Sequence, residues 1–314
     1  IEKARRLGQG EGAEDLPKRV AIEPALRYDH FSNQSNNLAA SSSDSALSAS
    51  LGASWQTTSW LTLNARYDEA FRAPSVEEMY SSGSHYCIPA IPNFLPNGLC
   101  NTFVANPDLQ AEEAANKGVK ADLRFANLAG DDELAVTLDL FRNDVDNFIE
   151  QQVYDPLMGI PGFEQHTTWV NVDKARLTGY ELDARYRWQA TRVGLAIGQT
   201  KGEDRNSGEA LYGIPARKGV LDLSQGLWQE DLLLGTRITY VASQGEVPAD
   251  NAVAEYDSYA LWDLYLAWQP AMGSLSGLRV DLAVDNLTDR YYRQAWQTLY
   301  EQGRNARLGV TYSF

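Results

Sequence analysis

The sequence predicts an all-β fold, a transmembrane antiparallel β-barrel. Three observations carry this. Apolar residues recur with period two, many of the candidate strands are long, and the connections alternate between short and long.

Twelve candidate strands cover 19–31, 45–56, 59–71, 110–126, 133–153, 168–188, 191–202, 217–227, 231–243, 258–268, 277–290 and 303–314. In the third, Leu61, Leu63, Ala65 and Tyr67 oppose Thr62, Asn64, Arg66 and Asp68. In the fifth, Leu134, Val136, Leu138 and Leu140 oppose Ala135, Thr137, Asp139 and Phe141. In the eleventh, Leu278, Val280, Leu282 and Val284 oppose Arg279, Asp281, Ala283 and Asp285. The last places Leu308, Val310, Tyr312 and Phe314 on one face and Arg307, Gly309, Thr311 and Ser313 on the other. Alternation gives a sheet two unlike faces. It does not say whether the apolar one meets a second sheet or lipid.

Lengths favour lipid. Soluble strands run to about five or six residues, whereas tilted membrane strands need about nine to eleven. Short connections fall near Thr57, Leu128, Gln189, Gln229 and Met272, and long ones cover 32–44, 72–109, 154–167, 203–216, 244–257 and 291–302. Short turns on one rim and long loops on the other mark outer-membrane barrels. Trp55, Trp188 and Trp268 sit beside short turns in phase with the apolar face, as an aromatic girdle would. Trp60 and Trp228 are near short turns but one step out of phase. Phe314 gives the chain an aromatic C-terminus.

Composition removes other classes. A formal charge of -15 argues against nucleic acid, which needs a basic stripe. No run of about 18 apolar residues exists, so no helix is expected to span a membrane. No signal peptide opens the chain, and Ile1-Glu2-Lys3 is not a natural initiation, so it reads as a fragment or processed product. Gly8, Gly10 and Gly12 lack the preceding strand and following Lys-Ser/Thr of a phosphate loop. Cys87 and Cys100, the only cysteines, lie in one Gly/Pro-rich segment and can pair locally in an oxidising compartment.

Phe71-Arg72-Ala73-Pro74 and Asn106-Pro107-Asp108-Leu109, followed by Glu112, resemble the paired FRAP and NPDL boxes of TonB-dependent receptors, haem receptors above all. Asn171-Val172 with Ala175, Gly179 and Glu181, and Asp285-Asn286-Leu287-Thr288-Asp289 with Tyr291 and Tyr292, resemble further elements of that family. The resemblance covers nearly the whole chain. It implies a bacterial outer-membrane barrel of about 22 strands around an N-terminal plug. Residues 1–314 would be its C-terminal part, with plug, TonB-contacting box and early strands upstream. The long connections, 72–109 included, would lie outside the cell. Import would depend on the TonB–ExbB–ExbD complex, acting through the upstream region.

Haem receptors of this family carry a histidine between the two boxes, a place held here by His85. The resemblance thus implies haem as transported ligand, with His85 as one axial iron ligand and a second in the plug. Tyr86 is the fallback ligand, since tyrosinate also ligates haem iron. Ile88, Ile91, Phe94 and Leu95 would cover the haem face, and a Cys87–Cys100 bridge would hold the loop. A solvent-exposed loop histidine is the competing reading of His85. Ile160 and Phe163, apolar in the loop 154–167, are candidate contacts with haem or a haem-carrying protein. His30 and His166 read as rim residues. The context of His85 looks most like the HasR-type branch, which takes haem free or from a secreted haemophore; a haemoprotein is a further source. Membrane lipid and lipopolysaccharide are the surroundings expected of such a barrel.

The alternatives are a ferric-siderophore receptor, which would not need His85, and a passive porin-like barrel, which gives no reason for the histidine and cysteine pair in 72–109. A barrel enzyme finds no Ser-His-Asp/Glu arrangement on one strand face, and Glu112 and Glu113 read as a surface pair where a strand begins. No catalytic cofactor is expected.

Overall fold

The computed structural model describes residues 19–35, 40–90, 92, 98–153, 166–249, 251, 253–271, 273 and 275–313. In chain order these form β1 (Val20–Ser35), β2 (Ala40–Gln56), β3 (Leu61–Arg72), α1 (Val76–Tyr80), β4 (Gly83–Ile88), β5 (Leu99–Phe103), β6 (Glu112–Ala126), β7 (Asp132–Val153), β8 (His166–Trp188), β9 (Thr191–Asp204), β10 (Lys218–Leu227), β11 (Leu232–Val241), β12 (Tyr259–Trp268), β13 (Leu278–Asp285) and β14 (Asn305–Tyr312).

Twelve of these strands make one antiparallel meander in the order β1-β2-β3-β6-β7-β8-β9-β10-β11-β12-β13-β14. Each answers to one strand expected from period two, with shifted ends. β1 and β2 pair from Ser35↔Ala40 down to Val20↔Trp55, so the ladder runs well into the expected loop 32–44. β13 stops at Asp285, short of the expected 290. There the Asn286 side chain accepts from the Arg290 amide and donates to the Arg290 carbonyl, closing a turn that competes with the ladder. The largest departure is 72–109, expected as a loop. It holds α1 and the β4–β5 hairpin, elements too short for periodicity to register.

The two faces differ as alternation demands. Val119, Leu138, Leu140, Leu182, Ile197, Leu221, Ile238, Trp262, Leu266, Leu282 and Leu308 share one face through the ladder registers. Leu26 at 74% and Leu308 at 67% exposure show that none of the described residues covers it. An apolar surface of this extent suits lipid rather than water. The buried hydrophobic clusters centre on Val145, Ala175, Leu211 and Ile214, and on Met79, Leu109 and Ile149. Val145, Ile149 and Ala175 are on the opposite, polar face, where segments from the long-loop rim fold onto the wall. Among the described residues no helix is long and apolar enough to cross a membrane.

The polar face is tied by hydrogen bonds and ion pairs. Asp122 accepts from Asn64 Nδ2 and Thr137 Oγ1 at 2.9 Å each. On the face of Leu138 and Leu140, beyond the apolar stretch toward the long-loop rim, Asp144 gathers Arg142, Arg176 and Lys117. Two glycines let aromatic rings lie flat on the polar face. A Cβ at Gly179 would stand 2.4 Å from Phe141 Cζ, and one at Gly235 would stand 2.2 Å from Tyr265 Cζ. Tyr265 Oη donates to Asp222 at 2.7 Å.

Trp55 lies one residue from the end of β2, and Trp188 and Trp268 end β8 and β12, all at the short-turn rim. Trp60, out of phase in sequence, stacks on Phe125 at 5.4 Å and joins the same aromatic level. Trp228, in the β10–β11 turn, is 71% exposed. Residues 1–18, Ile91, Phe94, Leu95, Ile160, Phe163 and Phe314 lie outside the described residues.

Candidate ligand site at the long-loop rim

The site begins where β3 ends. Ser75 caps α1: its hydroxyl accepts from the Glu78 amide at 3.1 Å, and Glu78 Oε2 accepts from the Ser75 amide at 2.7 Å. Such a reciprocal capping box satisfies two orphan donors of a helix start. Glu78 also accepts from Arg72 Nη1, at 2.9 and 3.0 Å. The other edge of the Arg72 guanidinium binds Glu112, Nε to Oε2 at 2.5 Å and Nη2 to Oε1 at 2.8 Å. Planar guanidinium matches carboxylate in this two-point way. Glu112 is only 12% exposed in its side chain, and its Oε1 takes the Ile149 amide as well. It is therefore not the surface acid that the sequence suggested.

Asn106 and Leu109 complete the base. Asn106 Nδ2 donates to the Trp169 carbonyl at 2.9 Å, and the Asp108 amide donates to Asn106 Oδ1 at 3.3 Å. Leu109 is buried with Met79 and Ile149, and Pro74 is fully buried, its carbonyl accepting from Asn33. Asn171 donates to the Gln110 and Asn147 carbonyls and accepts the Gln110 amide. Phe71 faces Phe31 at 5.8 Å, and Ala73 joins β3 to the capped helix. The boxes around Arg72 and Asn106 meet in space as a clasp for the segment between them.

That segment carries His85. Cys87 and Cys100 face each other in the β4–β5 ladder and form a disulfide. The register slips between Ser84 and Tyr86, leaving His85 as an extra residue of a β-bulge. Bulges re-aim side chains, and this one turns His85 toward β8. Its Nδ1 lies 2.9 Å from Thr167 Oγ1. Its ring packs against Phe103 at 4.5 Å, and Phe103 stacks on Trp169 at 5.4 Å and 14°. Tyr86 meets His85 edge-on at 5.1 Å. Nε2 has no hydrogen-bond partner among the described residues.

The hairpin is fixed to the wall by parallel pairing of Thr102 with His166 and Phe103 with Thr167. The Val104 amide donates to the Thr167 carbonyl at 2.9 Å. Thr167 and Trp169 share the alternation of Gly179, Glu181 and Asp183 on the polar face, so His85 leans over that face. His30 pairs with Ser45 in β1–β2 and is not part of this group. Among the described residues no three His, Cys, Asp or Glu side chains converge as a metal cluster.

The sequence reading missed Asn101, Phe103, Thr167 and Trp169. Thr167 meets His85 across 82 positions and Asn101 across 66, and no local pattern signals either.

A wall of long antiparallel strands, apolar outside and polar inside, with capped and clasped segments on one rim, defines an outer-membrane β-barrel. Residues 13–287 match the family described as TonB dependent receptor-like, beta-barrel, and the chain belongs to that family. It is 36% identical to heme/hemopexin utilization protein C of Haemophilus influenzae (strain 86-028NP) over 299 residues, covering 95% of this chain and 41% of that protein. It is 27% identical to the hemin receptor of Yersinia pestis over 302 residues, covering 96% and 42%. The chain thus spans about two-fifths of the length of these relatives. Among solved structures, the copper transporter OprC matches with a TM-score of 0.74 at 20% identity, covering 96% of this chain and 46% of that one. The Serratia marcescens hemophore receptor HasR, solved with its hemophore HasA and heme, matches with a TM-score of 0.64 at 18% identity, covering 94% and 47%. At those identities the structural likenesses establish the fold alone.

Proposed function

We propose that residues 1–314 form the C-terminal part of a TonB-dependent outer-membrane receptor that takes up haem, bound through His85. The observation that carries this is His85 itself. It stands in a bulge, backed by Phe103 and Trp169, with one nitrogen held by Thr167 and the other open. Imidazole is a good axial ligand for haem iron, and hydrogen bonding at its far nitrogen is how proteins orient such ligands. The names of the relatives from Haemophilus and Yersinia point to the same cargo.

β1 and β14 each pair on one side only among the described residues. A bilayer tolerates no open sheet edge, which supports a barrel completed by further strands. On this reading the long-loop rim faces outward from the cell. Haem arrives free or from a haemophore or haemoprotein, and the TonB–ExbB–ExbD complex supplies energy. The protein acts as a receptor rather than an enzyme, with haem as cargo and no catalytic cofactor. Tyr86 is the fallback ligand, and Ile160 and Phe163 stay candidate contacts on sequence grounds.

The test is hemin titration of the full-length protein and its His85→Ala variant. The Soret change should weaken by at least tenfold in affinity if a direct ligand is lost. An undiminished Soret response in the variant removes His85 from the account. A ferric siderophore bound more tightly than hemin would favour the siderophore alternative, and ion conductance without energy coupling the porin one.

A further inference from the structure

His85 ends a chain of three hydrogen-bonded side chains, and their protons can be counted. A threonine hydroxyl has one proton to give. Thr167 gives it to Asn101 Oδ1, 2.6 Å away. The 2.9 Å contact between Thr167 Oγ1 and His85 Nδ1 then runs the other way, with Nδ1–H donating and the hydroxyl accepting. A neutral imidazole has one ring proton, so Nε2 keeps its lone pair.

Asn101 and Thr167 are both fully buried, and at low local dielectric such bonds are strong and costly to break. The backbone fixes both Asn101 and Thr167. Asn101 pairs with Tyr86 beside the bulge, and Thr167 pairs with Phe103 across β5–β8. A histidine side chain in water prefers its proton on Nε2, so this arrangement is imposed by the protein.

We propose that Asn101 and Thr167 are positioning residues that hold His85 as the Nδ1–H tautomer, leaving Nε2 free to bind the iron of a porphyrin. The proposal rests on the reading of His85 as an axial ligand, but its central claim is measurable without haem.

The experiment is long-range proton–nitrogen NMR of the full-length, histidine-labelled protein in detergent, ligand-free, at about pH 8.5, where an ordinary imidazole is neutral. The His85 signal is assigned by its loss in His85→Ala. Wild type and Thr167→Ser should show a protonated Nδ1 and a bare Nε2. Thr167→Val, which keeps the shape and removes the acceptor, should shift the proton to Nε2. In parallel, Thr167→Val should bind hemin about tenfold or more weakly while Thr167→Ser binds as wild type.

A wild-type spectrum with the proton on Nε2 overturns the proposal. So does a Thr167→Val protein that keeps Nδ1–H, or one that binds hemin normally while His85→Ala does not. If His85→Ala binds hemin undiminished, the ligand reading falls, and the NMR result still decides the tautomer. Should Thr167→Val fail to fold, Asn101→Leu replaces it. The freed hydroxyl then donates to Nδ1, and the ring proton is expected on Nε2.

Discussion

Arg72 and Glu112, forty positions apart, are joined by two hydrogen bonds of 2.5 and 2.8 Å at the foot of the segment that carries His85. The same guanidinium grips Glu78 of α1, so one side chain ties β3, α1 and β6 together. The box residues thus serve the architecture of the rim, and the candidate site is built on what they hold.

Arg72→Met should loosen this foot without unfolding the wall. Glu112, mostly buried, loses its countercharge, a local cost of about 1–3 kcal/mol, toward the lower end because Arg72 is half exposed. Hydrogen exchange should quicken at Ser75, Glu78 and Ile149 while amides of β9–β12 stay protected. Uniform exchange changes across the sheet would refute the clasp.

Reducing the Cys87–Cys100 disulfide should slacken the β4–β5 hairpin. Closing a loop of about 15 residues contributes about 3 kcal/mol in chain-entropy terms, all of it local to the hairpin. Hemin affinity should fall on mild reduction and return on reoxidation, and Cys87→Ser should match the reduced protein. Identical hemin binding in both redox states would show that the hairpin holds its shape without the bond.

Phe103→Leu removes the ring between His85 and Trp169. The loss in hemin affinity should be smaller than for His85→Ala, since orientation suffers and the ligand atom remains. Trp169 fluorescence should change in the same variant. A greater loss from Phe103→Leu than from His85→Ala would make the aromatic surface the primary contact.

Gly179→Val should destabilise the wall. Its side chain would meet Phe141 and the Gln199 carbonyl well inside contact distance, and overpacking costs about 1–3 kcal/mol. The temperature at which the folded barrel unfolds in a heat-modifiability gel should drop. Combining it with Phe141→Ala should restore only the part due to the ring, because the clash with the Gln199 carbonyl remains.

Leu138→Arg and Asp139→Asn contrast the two faces on adjacent residues. An arginine on the lipid face costs about 2–4 kcal/mol at the bilayer midplane, whereas the polar face accepts the amide. Folding yield in lipid vesicles should fall for the first and hold for the second. Equal yields would mean that the leucine face does not touch hydrocarbon.

The wall was legible in the sequence because period two is a local property. Leu61 to Tyr67 and Leu278 to Val284 announce their faces within a few residues, and each short turn is marked by the break in alternation. The site was legible only in part. His85 stood out between Pro74 and Asn106, but what surrounds it comes from far along the chain. The register slip at Ser84/Tyr86 and the short β5–β8 pairing leave no periodic trace, so Thr167 and Trp169 read simply as the start of a strand. Glu112 was misjudged for the same reason, because its burial depends on Arg72 and Ile149, which only the fold brings near.

The parallel seam between β5 and β8 has a kinetic consequence. An arm stitched to the wall by backbone bonds arrives at an encounter already shaped, so capture there spends little entropy on ordering. Differences in affinity among variants of this arm should then surface as changes in residence time rather than in the speed of arrival.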